Sequence, residues 1–376
     1  MKSNFSFGRD TLILAFSSSI NKYLSVILIP IYTRYITPEG YGVISIIAIF
    51  SAILMTITTL ALTNGISRYI YFFDKEDVTK DEVIWSPLIF IIVLSFIVLS
   101  FLISFSDEIS LLAFGIKDYS YVIIISLISL FFSNFNSTGI AVLVFEKKVY
   151  KVLKINIIQI FFTTVTSLTL LIVFERGLTG IIEAGLISQV LLIPFVYLLS
   201  LKNYKFSFSH KILGKQLKFS LPLTIAIFAF FFIDSSDRYI LNIYLPLSEV
   251  GLYNLGYQGA LFIMILVDGF QLSWPPFYYS NNRNGEGQLI CTKVFYSYLY
   301  ISLVFVLFIS LFAPIVLELL TPEDFHDAYS VVPYVVFAYA LKGPYIIFLM
   351  GLLMKNQTAL QLIIETIAAS LNIILN

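Results

Sequence analysis

Charged residues are scarce in this sequence. Only 12% of its 376 residues are Asp, Glu, Lys or Arg, whereas a soluble globular domain usually has about a quarter. Acidic and basic residues balance at 23 each, and the lack of net positive charge argues against a nucleic-acid partner. With two histidines and one cysteine, Cys291, an internal disulfide is excluded. We therefore predict no cofactor, no metal site and no catalytic residue.

Apolar residues, in contrast, make up 59% of the chain, and the mean hydropathy is +0.91. Apolar runs of roughly twenty residues recur, each long enough to cross a hydrocarbon core of about 30 Å. The connecting segments are too short to bury a core of their own. We predict an all-α polytopic membrane protein with no soluble domain. Its eleven spans are expected at residues 11–33, 41–63, 84–105, 119–144, 155–175, 178–200, 217–241, 250–274, 294–317, 329–353 and 359–376.

The basic residues predict the orientation in the membrane. If the N-terminus is cytoplasmic, 17 of the 23 Lys and Arg residues fall in cytoplasmic segments and 3 fall on the opposite side. This distribution follows the positive-inside rule. The first apolar run is expected to be a retained helix, because no small-residue cleavage site follows it.

Two lysines, Lys22 and Lys342, fall near the middle of predicted spans. Neither has an acidic residue three or four positions away on its own helix. Lys22 shares its surroundings with three serines and Asn21. Lys342 precedes Gly343 and Pro344, and the proline predicts a kink. These features favour a central aqueous cavity of positive potential, suited to an anionic ligand. Alternatively, each lysine pairs with an acid on another helix, and the serines pack helices together.

A cluster of charges ends the seventh predicted span, in FFFIDSSDRYIL at residues 230–241. Asp234 and Arg238 are four residues apart and share a helix face, while Asp237 points about 100° away from Arg238. Arg34 occupies the same position at the end of the first span. We interpret these residues as structural pairs or gate contacts, and place Asp268 of the eighth span in the same group.

An internal repeat relates the two halves of the chain. Residues Arg34–Ile36 and Arg238–Ile240 both read Arg-Tyr-Ile. Each copy is followed by a proline, a glutamate and a glycine: Pro38, Glu39 and Gly42 in the first, Pro246, Glu249 and Gly251 in the second. Both copies end spans that run in the same direction, which predicts parallel repeats related by an axis along the membrane normal. The predicted lobes are residues 1–200 and 217–376, joined by a basic linker at 201–216.

These stretches resemble the polysaccharide-export flippases (Wzx-like proteins) of the multidrug/oligosaccharidyl-lipid/polysaccharide (MOP) superfamily. The resemblance is carried by TRYITPEGYGV at 33–43, FSLPLTIAIF at 219–228 and DRYILNIYLPLSEVGLYNLGY at 237–257. It implies a two-lobed, V-shaped transporter of a bacterial inner membrane that works by alternating access. Its substrate would be an undecaprenyl-diphosphate-linked oligosaccharide, flipped from the cytoplasmic to the outer leaflet.

The resemblance also implies roles for particular residues. The diphosphate would bind at Lys22 and Lys342, with Asn21 beside them. The sugar contacts would come from side chains of the eighth span: Tyr253, Asn254, Tyr257 and Gln258. Candidate partners are the membrane lipid and the polymerase and glycosyltransferases of the same pathway. Members of this family usually have at least twelve helices, so the last helix or helices are expected to be missing; a natural short variant and a fragment both remain open.

Two alternatives remain. The first is another MOP-type exporter, either of drugs or of the peptidoglycan precursor. An exporter of organic cations should carry unpaired acids at the middle of the membrane, where this chain has lysines. An integral membrane polymerase or glycosyltransferase is the other. Such enzymes commonly have a large outer loop with catalytic residues, whereas the loops here are short and both histidines, His210 and His326, are peripheral.

Overall fold

In a computed structural model of the chain, the described residues are 26–70, 78–281 and 287–354, with single helical positions between 360 and 371. Throughout that part of the chain the regular structure is helical, without strands. The helices are α1 (Val26–Tyr35), α2 (Pro38–Thr59), α3 (Leu62–Tyr69), α4 (Lys80–Ile103), α5 (Ser106–Phe114), α6 (Ser120–Phe145), α7 (Val149–Leu168), α8 (Gly177–Val196), α9 (His210–Tyr244), α10 (Leu247–Ala260), α11 (Met264–Asn281), α12 (Gly287–Leu320), α13 (Val332–Ala340) and α14 (Lys342–Met354).

Long apolar helices account for most of the predicted spans. Within the described residues, eight helical segments are long and apolar enough to cross a membrane: Pro38–Thr59, Lys80–Ile103, Ser120–Phe145, Val149–Val173, Gly177–Leu201, Leu247–Gln271, Cys291–Leu320 and Val332–Leu349. They match eight of the eleven predicted spans. The 35-residue helix α9 covers the seventh. The all-α membrane fold class is confirmed, and the count of eleven spans stays a prediction.

The described residues form two compact units. The first contains residues 43–235, and the second contains residues 26–42 together with 236–371. In the first unit, α6 packs against α4, α7 and α8. In the second, α12 and α10 both pack against α13, and α11 packs against α12 and α14. The lobe boundaries at 200 and 217 remain a prediction from the repeat.

Polar side chains tie the helices of the first unit together. The Asn134 amide of α6 donates to the hydroxyls of Thr58 on α2 and Ser95 on α4, both at 2.9 Å. Two residues further on, and so on a different face of α6, the Asn136 amide donates to the Gln189 side chain of α8 at 2.8 Å. Interhelical hydrogen bonds of this kind stabilise helix packing where lipid offers no partner.

Glu183, an acid inside a predicted span, is paired. Its carboxylate lies 2.9 Å from the guanidinium of Arg176 at the start of α8, and accepts a hydrogen bond from Tyr121 at 2.7 Å. The negative charge of Glu183 is thus neutralised by a neighbouring residue, as expected for a charge inside a membrane-spanning helix.

Near Lys342, where the sequence predicts a kink, the regular helical bonding is interrupted at one residue, Leu341, which keeps helical backbone angles. Helix α13 ends at Ala340 and α14 begins at Lys342, with Leu341 between them. Pro344 has no N–H to donate to the Ala340 carbonyl, which removes one helical bond at this point. The neighbouring glycine is required by packing, because a Cβ at Gly343 would overlap the ring of Tyr298.

The two copies of the repeat meet in the second unit. A Cβ at Gly42, in α2, would overlap the carbonyl of Leu247, and a Cβ at Gly251, in α10, would overlap the carbonyl of Pro38. Each helix therefore uses its glycine to approach the first residue of the other. This reciprocity explains why both copies of the repeat carry a glycine at this position.

We expect Gly251→Ala to destabilise the protein by about 1–3 kcal/mol, the usual cost of forcing extra atoms into a packed contact. Gly259→Ala on the same helix is the matched control, because its Cβ would lie 3.6 Å from Val332 in ordinary contact. The control should be neutral or slightly stabilising. Thermal unfolding of both variants in detergent measures the difference, and equal melting temperatures would refute the close approach.

A buried carboxylate organises the lysine-rich end of the helices. Glu146, directly after α6, accepts from the ammonium groups of Lys80 and Lys148, both at 2.7 Å, and from the Tyr204 hydroxyl. Burial acts to raise the pKa of Glu146, but the hydrogen bonds from Lys148, Lys80 and Tyr204 outweigh it and lower the pKa. Burial and the bond to Glu146 raise the pKa of Tyr204, so the hydroxyl remains a donor at neutral pH.

This cluster predicts a pH dependence. Because the folded-state pKa of Glu146 lies below its ordinary value of 4.5, the carboxylate stabilises the fold fully above that value and loses its effect as the pH falls through the folded-state pKa. Wild type should exceed Glu146→Gln in melting temperature at pH 7, and the gap should close in acid. Glu108→Gln, at an exposed carboxylate of α5, is the control. A gap independent of pH would contradict the assignment.

Candidate functional site: a tyrosine strip between two cations

Asp237 orders two tyrosines on α10. Its Oδ2 atom accepts hydrogen bonds from the hydroxyls of Tyr253 at 2.6 Å and Tyr257 at 2.9 Å. The tyrosines are four residues apart, so they share one helix face, and their ring centroids are 4.9 Å apart. The Oδ1 atom accepts from the backbone N–H of Arg238 at 2.8 Å. Both oxygens of the carboxylate are therefore used in positioning its neighbours.

Arg238 lies over the second of these rings. Its guanidinium carbon is 4.6 Å from the ring centroid of Tyr257, a distance at which the cation and the ring attract each other. The Nε atom is buried and has no hydrogen-bond acceptor within the part of the chain that the structure describes. A guanidinium carries five N–H donors, and the contact with the Tyr257 ring uses none of them.

The contacts continue to the broken helix. The ring of Tyr257 meets that of Tyr339 edge-on, with centroids 6.2 Å apart. The ammonium of Lys342 lies 5.0 Å from the Tyr339 ring centroid, and the lysine side chain is exposed. We call Tyr253, Tyr257 and Tyr339 the tyrosine strip. Two cations contact it: Arg238 on α9 lies over the middle ring, Tyr257, and Lys342 at the start of α14 lies over the end ring, Tyr339.

Five of the residues singled out from the sequence thus come together: Asp237, Arg238, Tyr253, Tyr257 and Lys342. Asn254 and Gln258 lie half-buried on α10 and take no part in these contacts.

The remaining candidates are separate from the strip. Lys22, Asn21 and the side chain of Asp234 lie outside the described residues. Arg34 is exposed at the end of α1 and Asp268 is half-buried in α11; within the described ranges, neither forms an ion pair. The gate pairing of these charges stays a prediction.

Tyr339 was missed in the sequence. It lies three residues before Lys342, and residues at that spacing are neighbours on a helix surface. Reading the helix face around each cation inside a predicted span would have found it. Among the described residues there is no group of three His, Cys, Asp or Glu side chains able to hold a metal ion.

Removing the Asp237 carboxylate should destabilise the second unit. Asp237→Ala leaves two tyrosine hydroxyls without their acceptor, and we expect a loss of about 1–3 kcal/mol. Tyr253→Phe removes one hydroxyl and keeps the ring, so its cost should be smaller, about 0.5–1.5 kcal/mol. Asp268→Ala is the control for an aspartate without such bonds. Unfolding in a detergent titration measures all three, and an equal effect at Asp237 and Asp268 would contradict this arrangement.

Comparison with known proteins relates this fold to transporters. Residues 7–274 match the family described as "Polysaccharide biosynthesis protein". A Haemophilus influenzae protein named from its Lsg locus is 24% identical over 280 residues, covering 72% of this chain and 65% of the relative. The chain therefore spans just under two thirds of that protein's length.

Solved structures share the fold. An inward-facing multidrug resistance MATE family transporter of the MOP superfamily is 19% identical, with a TM-score of 0.60, over 90% of this chain and 86% of its own. A MOP superfamily transporter from Pyrococcus furiosus is 18% identical, with a TM-score of 0.56, over 97% and 93%. The chain therefore belongs to the polysaccharide biosynthesis protein family and is built on the fold of MOP superfamily transporters, which confirms the resemblance found in the sequence.

Proposed function

We propose that this protein flips undecaprenyl-diphosphate-linked oligosaccharides, the repeat units of O-antigen, capsule or exopolysaccharide, across a bacterial inner membrane by alternating access. The observation that carries the proposal is the tyrosine strip with its two cations, Arg238 and Lys342. A lipid-linked oligosaccharide combines an anionic diphosphate with polar sugar rings. The strip offers chemistry for both parts.

The diphosphate is assigned to the cations. An ammonium in apolar surroundings attracts an anion far more strongly than it would in water. Lys342 is exposed beside Tyr339, next to the point where Pro344 interrupts the helical bonding, and a charge at this depth is expected to face a cavity rather than lipid. Lys22 with Asn21 on the first span is proposed as the partner cation, on the sequence argument alone.

The sugar is assigned to the tyrosines. Their rings supply flat apolar surface and their hydroxyls supply polar groups, which suits a sugar ring with apolar faces and a hydroxyl rim. Asp237 holds the Tyr253 and Tyr257 hydroxyls in place, so the surface is preorganised. Asn254 and Gln258 are proposed as further sugar contacts from the same helix.

The orientation is part of the proposal. A cytoplasmic N-terminus puts the lysine-rich end, including Lys148 and Lys154, in the cytoplasm, where the substrate would be loaded. Partners are proposed to be the polymerase and glycosyltransferases of the pathway, acting after and before the flip.

An exporter of organic cations is the second candidate, because a multidrug resistance transporter shares the fold. The charges favour the first. Asp237 is occupied by two tyrosine hydroxyls and a backbone N–H, and the exposed end of the strip is a lysine. The Pyrococcus furiosus relative is itself described with a binding pocket of reverse polarity that suggests a different function. A transporter rather than an enzyme is supported by the family and the fold.

The cationic site predicts a charge-specific loss. Lys342→Ala should lower surface polysaccharide about tenfold or more in cells that depend on this protein, the effect of losing roughly 1.4 kcal/mol of substrate binding. Lys342→Arg should retain part of the output because the charge remains. Lys22→Ala with Lys342→Ala should abolish it.

The matched control is Lys154→Ala, at an exposed lysine of α7, which should leave polysaccharide unchanged. Membrane levels of each variant are measured by immunoblot. Polymer at the wild-type level from the double variant would refute the cationic site. Loss of polymer with the lipid-linked unit accumulating on the cytoplasmic leaflet would support a flipping defect over a failure of synthesis.

A further inference from the structure

An apolar pocket opens between α11 and α12 in the second unit, with a volume of about 490 Å³. Side chains of two helices line it, including Leu266 and Phe270 of α11, with Gly269 between them, and Val294, Ile301 and Phe305 of α12. The polar side chains among the lining residues are Ser297 and Tyr298. A pocket with so few hydrogen-bonding groups suits a hydrocarbon ligand.

The pocket adjoins the helix break that carries Lys342. Tyr298 forms part of its wall and packs against Phe270, with ring centroids 4.5 Å apart and the ring planes tilted by 49°. The same tyrosine ring touches the backbone of Gly343, where a Cβ would overlap it. Gly343 directly follows Lys342, so the backbone that carries the lysine lies against the wall of the pocket.

We propose that this pocket holds the first isoprene units of the polyprenyl chain whose diphosphate binds at Lys342. The inference rests on the proposed function and adds a lipid-chain subsite to it. In such a substrate the polyprenyl chain is bonded directly to the diphosphate. A protein that binds the diphosphate through a cation must therefore present apolar surface near that cation to the start of the chain. Lys342 and the pocket together offer a charged surface followed by an apolar one.

The pocket is expected to orient the polyprenyl chain rather than to gain much free energy from burying it. Lipid tails are as apolar as the lining side chains, so a chain moving from bilayer to pocket gains little from leaving its surroundings. It gains packing contacts and a fixed direction relative to the diphosphate. The expected contribution to affinity is therefore modest.

A substitution at Gly269 can fill the pocket without distorting the fold. A Cβ at Gly269 would meet nothing within 4 Å, and the same is true at Gly214 on α9, which does not line the pocket. Gly269→Leu is therefore the test, and Gly214→Leu is the matched control. Both are compared with Lys342→Ala in vesicles of phosphatidylethanolamine and phosphatidylglycerol.

The probes are a photoreactive polyprenyl diphosphate and inorganic diphosphate, which has the head group without the chain. Gly269→Leu should weaken binding of the polyprenyl diphosphate about three- to tenfold and leave inorganic diphosphate unchanged. Lys342→Ala should weaken both, and Gly214→Leu neither. In wild type, the photoreactive chain should label peptides containing Ile301 or Phe305, a readout independent of how well any variant folds.

Failure of the chain subsite and failure of the cationic site give different results. If Gly269→Leu binds both probes like wild type, or the label maps elsewhere, the chain subsite is wrong while the cationic site stands. If photoreactive phosphatidylglycerol labels the same peptides as strongly, the pocket holds ordinary membrane lipid and the inference is overturned. If Lys342→Ala binds both probes normally, the proposed function fails at this site.

Discussion

The absence of water in the bilayer core is the constraint on which this structure depends. A backbone that cannot bond to solvent must bond to itself, and the long apolar helices follow from that requirement. Polar side chains in those helices obey the same rule. Asn134 joins three helices through two hydroxyls, Glu183 is neutralised by Arg176, and Asp237 is occupied by two tyrosines. Each stabilises packing because lipid offers it no alternative partner.

The two cations of the candidate site both contact tyrosine rings, but they differ in their exposure. The Arg238 guanidinium rests on an aromatic ring and retains a buried Nε without an acceptor in the described part of the chain. Lys342 is exposed beside Tyr339. A π-face stabilises a cation without consuming its hydrogen-bond donors. The proposed anionic ligand would use those donors.

Much of the fold was predictable because it depends on local signals. Apolar run length located eight spans that coincide with observed helices, and Pro344 located the break after Ala340. The repeated glycines, Gly42 and Gly251, were visible as a pattern, but their contact with each other's helix was not. The contacts that assemble the tyrosine strip and the apolar pocket were not visible either. Helices that are apolar on all sides give no periodic signal of which face meets which neighbour, so nothing in the sequence distinguished Tyr298, and Tyr339 was marked only by its spacing from Lys342.

The tripeptide Lys342-Gly343-Pro344 links these observations. The proline removes one helical hydrogen bond, and Lys342, two residues earlier, is an exposed charge at a place where lipid-facing sequence would exclude it. The glycine allows Tyr298 to lie against the backbone, which brings the wall of an apolar pocket next to that lysine. A larger residue at Gly343 would displace the Tyr298 ring that forms part of the pocket wall, and a residue other than proline at 344 could restore the missing helical bond. Three adjacent residues therefore join a charged subsite to an apolar one, and that pairing of surfaces is what an amphipathic lipid-linked substrate needs.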